Sequence, residues 1–372
     1  MKHFADFIRL MVQVRKYPAK GESIRMRRKE YKTTKTGSKK SLIIKVSVML
    51  LASILITGTA YGIFLMKKVE KAADNSYEAV EDREGSVLRE EVVKPVEDNV
   101  SILFIGIDDS ETRNQGADSS RSDALMLATL NNKDKTIKLV SIPRDTLVYI
   151  PEVGYEDKIT HALGHGGTKT TIETVEGLLD VPVDYYVRMN FNAFIDVVDA
   201  LDGIYATVPY DRLEKDEFDV YSVQLKKGYH KLDGREALAL ARTRKLDSDI
   251  ERGKRQQEIL SSIIKRASSA SSFTKYGDVI DAVGDNMKTD MTFDEMKSFF
   301  AYIKGGMPQV DTLTLEGYDD MSTGTYYWVL DDESLDETQE LLQSHLGLNP
   351  ESSSYSNNST ETDTNKLVLE NE

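Results

Sequence analysis

Val46 to Met66 (VSVMLLASILITGTAYGIFLM) is a run of 21 residues without a charged side chain. At 1.5 Å per residue it makes about 31 Å of helix, which matches a hydrocarbon core of about 30 Å. A core helix of a soluble domain usually keeps one polar face, and this run keeps none. It also follows a basic tract made of Arg25, Arg27, Arg28, Lys29, Lys32, Lys35, Lys39 and Lys40. The sequence therefore predicts a transmembrane helix over 46–66. The rival is a cleavable signal peptide, since Gly58, Thr59, Ala60 and Gly62 are small. Its apolar region would span only about 7–15 residues, so an uncleaved signal-anchor is the expectation.

Charge sets the orientation. Residues 1–45 hold 14 Lys and Arg against 3 acids, a surplus of +11, while the remainder holds 34 against 59, or −25. Lys and Arg mark the cytoplasmic flank, which puts the N-terminus inside and everything after Lys68 outside the cell membrane. Beside a membrane span, a polybasic stretch serves as an orientation signal attracted to anionic lipid, so no nucleic-acid partner is expected. With no cysteine in 372 residues, a disulfide framework and thiolate zinc sites are excluded.

Five segments follow from composition. Residues 1–45 form a basic cytoplasmic segment and 46–66 the transmembrane helix. Residues 67–99 read as a charged, part-helical stalk ending near Pro95, with no chemistry of its own. Residues 100–347 form the extracellular domain, and 348–372, rich in Ser, Asn, Thr and acids, a disordered tail. Within the domain, the runs at 101–107, 124–130 and 136–142 are short and β-rich, with turn residues between them. Helices are predicted from Thr170, where Thr170 and Glu173 form a capping box, at Asn192 to Leu201, and through 236–241, 252–267, 276–287 and 293–303. Strands alternating with helices predict an α/β fold, a layered α-β-α domain with a central mixed sheet behind one N-terminal transmembrane helix.

Several enzyme signatures are absent, among them G-x-S-x-G and H-E-x-x-H. GHGGTKTT (164–171) lacks the Gly directly before Lys that a P-loop needs and reads as a turn before a helix. His161 and His165 have i, i+4 spacing, but no third ligand is evident and no zinc site is expected. Arginines and carboxylates at the ends of elements remain. Asp108 follows the first strand and Asp123 opens the second, so two strand ends could bring them together around a hard divalent cation; equally, Asp is a common turn residue. Arg144 and Asp145 follow Pro143 at the end of the third strand, suited to phosphate or to a plain ion pair. Arg242 and Arg244, two apart, reach one ligand only if the helix carrying them has ended. After Asp249, a plausible N-cap, Arg252, Arg255, Gln256, Ile259, Leu260 and Ile263 share a face that is polar first and apolar later. That stripe fits a ligand with a charged head and a greasy tail, and also an ordinary amphipathic helix.

The blocks FIGID (104–108), RSDALML (121–127), VSIPRDT (140–146), KITHALGHGG (158–167), VPVDYYVRMNF (181–191), LDGREALALARTRK (232–245) and RGKRQQ (252–257) together resemble the LytR-CpsA-Psr family of bacterial cell-wall assembly proteins, most closely its LytR-like members, polyisoprenyl-teichoic acid–peptidoglycan teichoic acid transferases of Gram-positive bacteria. The resemblance implies a phosphotransferase that takes a glycopolymer such as wall teichoic acid from an undecaprenyl-pyrophosphate carrier and joins it to peptidoglycan. It implies Mg²⁺ or Mn²⁺ held by Asp108 and Asp123, and pyrophosphate held by Arg121, Arg144, Arg242, Arg244, Arg252 and Gln256. Asp108, Arg144 and Asp145 would be catalytic, and the prenyl tail would enter an apolar tunnel between sheet and helices. Two other readings stay open: a non-catalytic scaffold that binds lipid carriers, and a membrane-linked transcriptional attenuator, which would need a DNA-binding unit before Val46.

Overall fold

Three consecutive hydrophobic runs at the start of the domain lie side by side as paired strands. The computed structural model describes residues 39–95, 97–107, 121–243, 249–267, 286–304 and 308–348. Its first element is the helix α1 (Lys39–Ser76), 38 residues long. From Val46 onward α1 is long and apolar enough to cross a membrane, and the side chains of Met49, Ile56 and Phe64 are exposed. The predicted tail beyond Leu348 and the basic segment before Lys39 lie outside the described residues.

The central strands are β1 (Val100–Ile107), β2 (Ser122–Asn131) and β3 (Thr136–Ile142). A hairpin of β4 (Leu147–Ile150) and β5 (Tyr155–Lys158) leads through a short 3₁₀ turn into helix α2 (Ala162–Leu179). Then come β6 (Tyr185–Met189), α3 (Phe191–Ala200), β7 (Ile204–Val208), β8 (Arg212–Lys215), β9 (Tyr221–Leu225), β10 (Gly228–Leu232) and α4 (Gly234–Arg242). After α5 (Asp249–Ala267) follow β11 (Met287–Thr289), α6 (Phe293–Lys304), β12 (Gln309–Thr314), β13 (Gly317–Asp320), β14 (Tyr327–Leu330) and α7 (Asp332–Leu346). The main sheet has six strands in the order β11-β6-β1-β2-β3-β12. It is mixed: β1 and β3 run antiparallel to β2, while β6 lies parallel to β1 and β12 parallel to β3.

Alternation along these strands divides the core. Leu103, Ile105, Leu125, Leu127, Val140 and Ile142 face α2 and α7, where Ile172, Val175, Leu179, Leu342 and Leu346 cover them. Their neighbours Ile102, Phe104, Met126, Ala128, Leu139 and Val187 point to the opposite face, where Leu260 of α5 and Met296 and Phe299 of α6 pack. Both faces are therefore apolar, which is why the strands read as near-continuous hydrophobic runs. The predicted layered α/β domain with a central mixed sheet is the fold observed.

Three local expectations change. The helix predicted over 170–179 starts earlier: α2 begins at Ala162, is broken at Gly166 and at Gly167, whose φ of 69° only glycine adopts easily, and continues beyond them to end at Leu179 as expected. The helix predicted over 276–287 falls mostly outside the described residues, and its last residue, Met287, opens β11 against Met189. Finally, the predicted stalk is strapped to the domain. Arg83 makes a two-pronged pair with Glu176, at 2.9 and 3.1 Å, and donates to Val183 O at 2.7 Å. Arg89 grips Asp184 in the same way, at 2.9 and 2.7 Å.

Candidate functional site

The β1–β2 ladder is regular until Gly106↔Ala124, but the next pair is Ile107↔Ser122, so Asp123 is the extra residue of a β-bulge. A bulge re-aims a side chain at the rim of a sheet. Here the Asp123 carboxylate meets the end of the adjoining strand, where Arg144 Nη1 donates to Asp123 Oδ1 over 2.7 Å. Proline at 143 stops β3 and a turn closes behind it, with the Thr146 N–H and hydroxyl both donating to Pro143 O at 3.1 and 2.6 Å. Thr160 clamps both strand ends from the side: its N–H donates to Arg144 O at 3.1 Å and its hydroxyl to Ser122 O at 2.7 Å.

Asp145, 7% exposed, continues the chain of charges. Lys158 Nζ lies 2.9 Å from Asp145 Oδ1, and Arg144 Nε 3.6 Å from Asp145 Oδ2. The Trp328 N–H on β14 donates to Asp145 O at 2.9 Å. The result is an alternating series Asp123, Arg144, Asp145, Lys158, in which a planar guanidinium is fixed between two carboxylates. Two polar atoms of this corner, Arg144 Nε and Ser122 Oγ, are buried with no hydrogen-bond partner among the described residues. Buried polar atoms are nearly always satisfied, so these two stand out in this corner.

The N-terminal turn of α5 lies on the end of β3, because a Cβ at Gly253 would come within 2.8 Å of Ser141 Oγ. Arg252, predicted to hold phosphate, is buried in that turn. The next residues cap α4. Arg255 Nη2 donates to Thr243 O at 2.7 Å, and Gln256 Nε2 to Ala241 O at 3.2 Å. One N–H of the Gln256 amide is thereby engaged by backbone. Arg242 turns to the β8–β9 hairpin: it donates to Asp216 O at 2.9 Å and to Asp219 Oδ1 at 3.1 Å, and stacks over Phe191 at 4.3 Å. Arg121 is exposed just before β2, and Asp108 and Arg244 lie outside the described residues.

Of the predicted set, Asp123 and Asp145 each contact Arg144. Sequence reasoning gave no role to Lys158, Thr160 or Trp328; the only signal was that Lys158 opens the KITH block. The histidines form a separate cluster. His161 Nδ1 is 2.8 Å and His165 Nε2 3.8 Å from Asp157 Oδ2. Burial works to raise the Asp157 carboxyl, but the hydrogen bond from His161 and the two imidazoles outweigh it and hold it below its usual range. Among the described residues no group of three His, Asp or Glu is arranged to hold a metal ion.

Residues 63–344 match the LytR_cpsA_psr family. The chain belongs to that family. It is 41% identical over 309 residues to the polyisoprenyl-teichoic acid--peptidoglycan teichoic acid transferase TagT of Bacillus subtilis (strain 168), covering 82% of this chain and 95% of that protein. It is 36% identical over 315 residues to TagU of the same strain, covering 82% and 97%. Among solved structures it is similar to TagT bound to LIIa-WTA (TM-score 0.63, 42% identity, 73% of this chain and 99% of that one). It is likewise similar to YwtF (TagT) with bound octaprenyl pyrophosphate lipid (TM-score 0.59, 39% identity, 73% and 99%). The LytR_cpsA_psr match begins inside α1 and includes the strap of residues 77–99, so the Arg83 and Arg89 contacts fall within the family unit.

Proposed function

We propose that this LytR_cpsA_psr protein is a membrane-anchored phosphotransferase that moves a glycopolymer, wall teichoic acid or similar, from an undecaprenyl-pyrophosphate carrier onto peptidoglycan. The observation that carries the reading is Arg144: its guanidinium is fixed by Asp123 and beside Asp145, with a buried Nε still lacking a hydrogen bond among the described residues. A guanidinium held this way offers a fork matched to phosphate oxygens. The apolar layer between the sheet residues Ile102, Phe104, Met126 and Val187 and the helix residues Leu260 and Phe299 has the chemistry of a prenyl-tail site. Relatives named as transferases, and a relative's structure with octaprenyl pyrophosphate, support the same reading.

In the transfer, an acceptor hydroxyl oxygen bonds to the phosphorus carrying the polymer and gives up its proton to solvent, and the bond from that phosphorus to the bridging oxygen breaks, releasing the lipid monophosphate. Negative charge grows on the bridging oxygen, where a fixed guanidinium counts for more in the transition state than before it. Asp145, predicted as catalytic, is bonded by Lys158 and Trp328 and suits the task of holding Arg144 in place. Asp123 accepts from Arg144 through Oδ1, and its other oxygen would hold the proposed Mg²⁺ or Mn²⁺, which accepts a carboxylate oxygen together with pyrophosphate oxygens. A bound divalent ion would supply further charge neutralisation, with Asp108 as the second proposed ligand. Arg121, Arg242, Arg244, Arg252 and Gln256 stay in the proposed pyrophosphate set.

We further place residues 1–45 in the cytoplasm, 46–66 across the membrane, and 100–347 outside as the catalytic domain. The length and apolarity of α1 and the +11 segment before it support this topology. The deciding experiment is binding of octaprenyl pyrophosphate, and transfer of labelled polymer to peptidoglycan, by the wild type and Arg144→Ala. Unimpaired binding and transfer by the variant would move the site elsewhere.

A further inference from the structure

The hairpin β13–β14 is joined to the Arg144 corner. The Trp328 N–H bonds Asp145 O at 2.9 Å, and Trp328 bridges Thr146 as a parallel partner. Lys158, whose ammonium pairs with Asp145, lies 5.7 Å from the centres of both the Tyr326 and the Tyr327 rings. From this anchor the hairpin carries side chains that the pyrophosphate chemistry does not use.

Its register sets them on one face. Tyr318 pairs with Val329 and Asp320 with Tyr327, so Tyr318 and Tyr327 are diagonal neighbours and Asp320 stands directly beside Tyr327. Tyr318 is 59% exposed, and Tyr327 is partly so. Asp320 already orders the hairpin tip through Ser322, whose N–H and hydroxyl lie 2.8 and 3.0 Å from its oxygens, and a carboxylate oxygen can accept a further hydrogen bond. Flat aromatic faces next to a carboxylate suit a sugar ring, which has an apolar C–H face and a rim of hydroxyl donors.

Charge selects which sugar polymer. From Pro308 to Leu348 the chain has ten acids, Asp311, Glu316, Asp319, Asp320, Asp331, Asp332, Glu333, Asp336, Glu337 and Glu340, and no Lys or Arg. The hairpin itself, residues 317–330, carries Asp319 and Asp320 and no Lys or Arg, and carboxylates repel a phosphate-bearing donor polymer more than a phosphate-free glycan. We infer that the face formed by Tyr318, Asp320 and Tyr327 is the acceptor subsite, binding a phosphate-free N-acetylhexosamine glycan strand of peptidoglycan and delivering its hydroxyl toward Arg144. The inference rests on the transferase reading, but its test is independent of turnover.

Trp328 is the only tryptophan in the sequence and lies on this hairpin, so intrinsic fluorescence reports on it directly. The detergent-solubilised full chain should show a saturable emission change with phosphate-free uncrosslinked glycan strands and little with free teichoic-acid polymer. Tyr318→Ala should weaken the glycan titration about tenfold, while Tyr318→Phe, which keeps the ring, should stay within about twofold of wild type. Octaprenyl pyrophosphate binding should be the same in all three. The assignment is overturned if wild type gives no glycan response, if Tyr318→Ala titrates like wild type, or if the donor polymer binds in preference. Should carrier binding fail while the glycan titration behaves as stated, the transferase reading falls and the glycan subsite stands.

Discussion

Asp123 and Arg144, 21 positions apart in the sequence, meet at 2.7 Å because a β-bulge pushes one out of the ladder and a proline ends the strand of the other. Neither side chain is fixed by its own residue type. The bulge decides where Asp123 points, and the clamp of Thr160 on Arg144 O and Ser122 O holds the two strand ends together.

Arg144→Ala should weaken octaprenyl pyrophosphate binding by roughly tenfold or more, since a charge-assisted contact to phosphate contributes about 1.5–3 kcal/mol. Arg144→Lys should recover little, because an ammonium lacks the fork that spans Asp123 and a phosphate. Isothermal titration with the lipid gives both numbers. Full affinity in Arg144→Lys would show that only charge matters here.

Arg89→Ala should destabilise the domain by about 3 kcal/mol, as it leaves the nearly buried carboxylate of Asp184 without its partner. Asp184 also accepts from the Ser101 N–H at 2.8 Å, so the loss reaches the first residues of β1. Urea unfolding of the domain measures it. A change below about 0.5 kcal/mol, typical of exposed pairs, would mean that the strap merely rests on the surface.

The pH dependence of stability should carry the mark of His345. Burial, then the charge of Lys138, pulls this imidazole down to about 4. Its nitrogens lie 2.7 Å from the Thr129 hydroxyl and 2.8 Å from that of Thr136. As pH falls from about 6.5 to about 4, the unfolded chain takes up a proton that the native state refuses, so stability drops by about 3 kcal/mol over that window. Asp290 acts in the opposite direction: burial raises it to about 6, so its contribution falls as pH rises from about 4 to 6. The two are separated by comparing wild type with His345→Gln. The stability difference between them should shrink on acidification, and a difference that is flat in pH would contradict the assignment.

The sheet was legible in the sequence because β1, β2 and β3 are hydrophobic runs covered on both faces, and their ends fell close to where turn residues place them. The α2 start was misread because Thr170 and Glu173 mimic a cap, while Gly166 and Gly167 break a helix already under way. The strap escaped notice for a different reason. Arg83 and Arg89 look like solvated charges until their partners Glu176 and Asp184, more than 90 positions away, are brought beneath them by the fold. Lys158 was hidden likewise, since its pairing with Asp145 depends on the β4–β5 hairpin folding back.

Asp123→Asn separates affinity from turnover. The substitution removes the charge opposite Arg144 and one proposed ligand of a divalent ion, yet it leaves the apolar layer of Ile102 and Met126 on the sheet and Phe299 on α6 untouched. The prenyl tail gains its affinity by burial on such a face, so lipid binding should fall by no more than about threefold. Transfer depends on charge developing at the bridging oxygen, where losing the carboxylate loosens Arg144 and removes a ligand of the proposed divalent ion, so kcat should fall by about 100-fold. Excess EDTA should depress wild-type transfer to a similar level, and it should add little to the variant, because both act on one centre. Equilibrium binding of octaprenyl pyrophosphate and transfer of labelled polymer, with and without EDTA, test the three statements together. Transfer by the wild type that persists in EDTA would remove the metal from the reaction, and unchanged kcat in Asp123→Asn would leave Arg144 acting without its carboxylate partner.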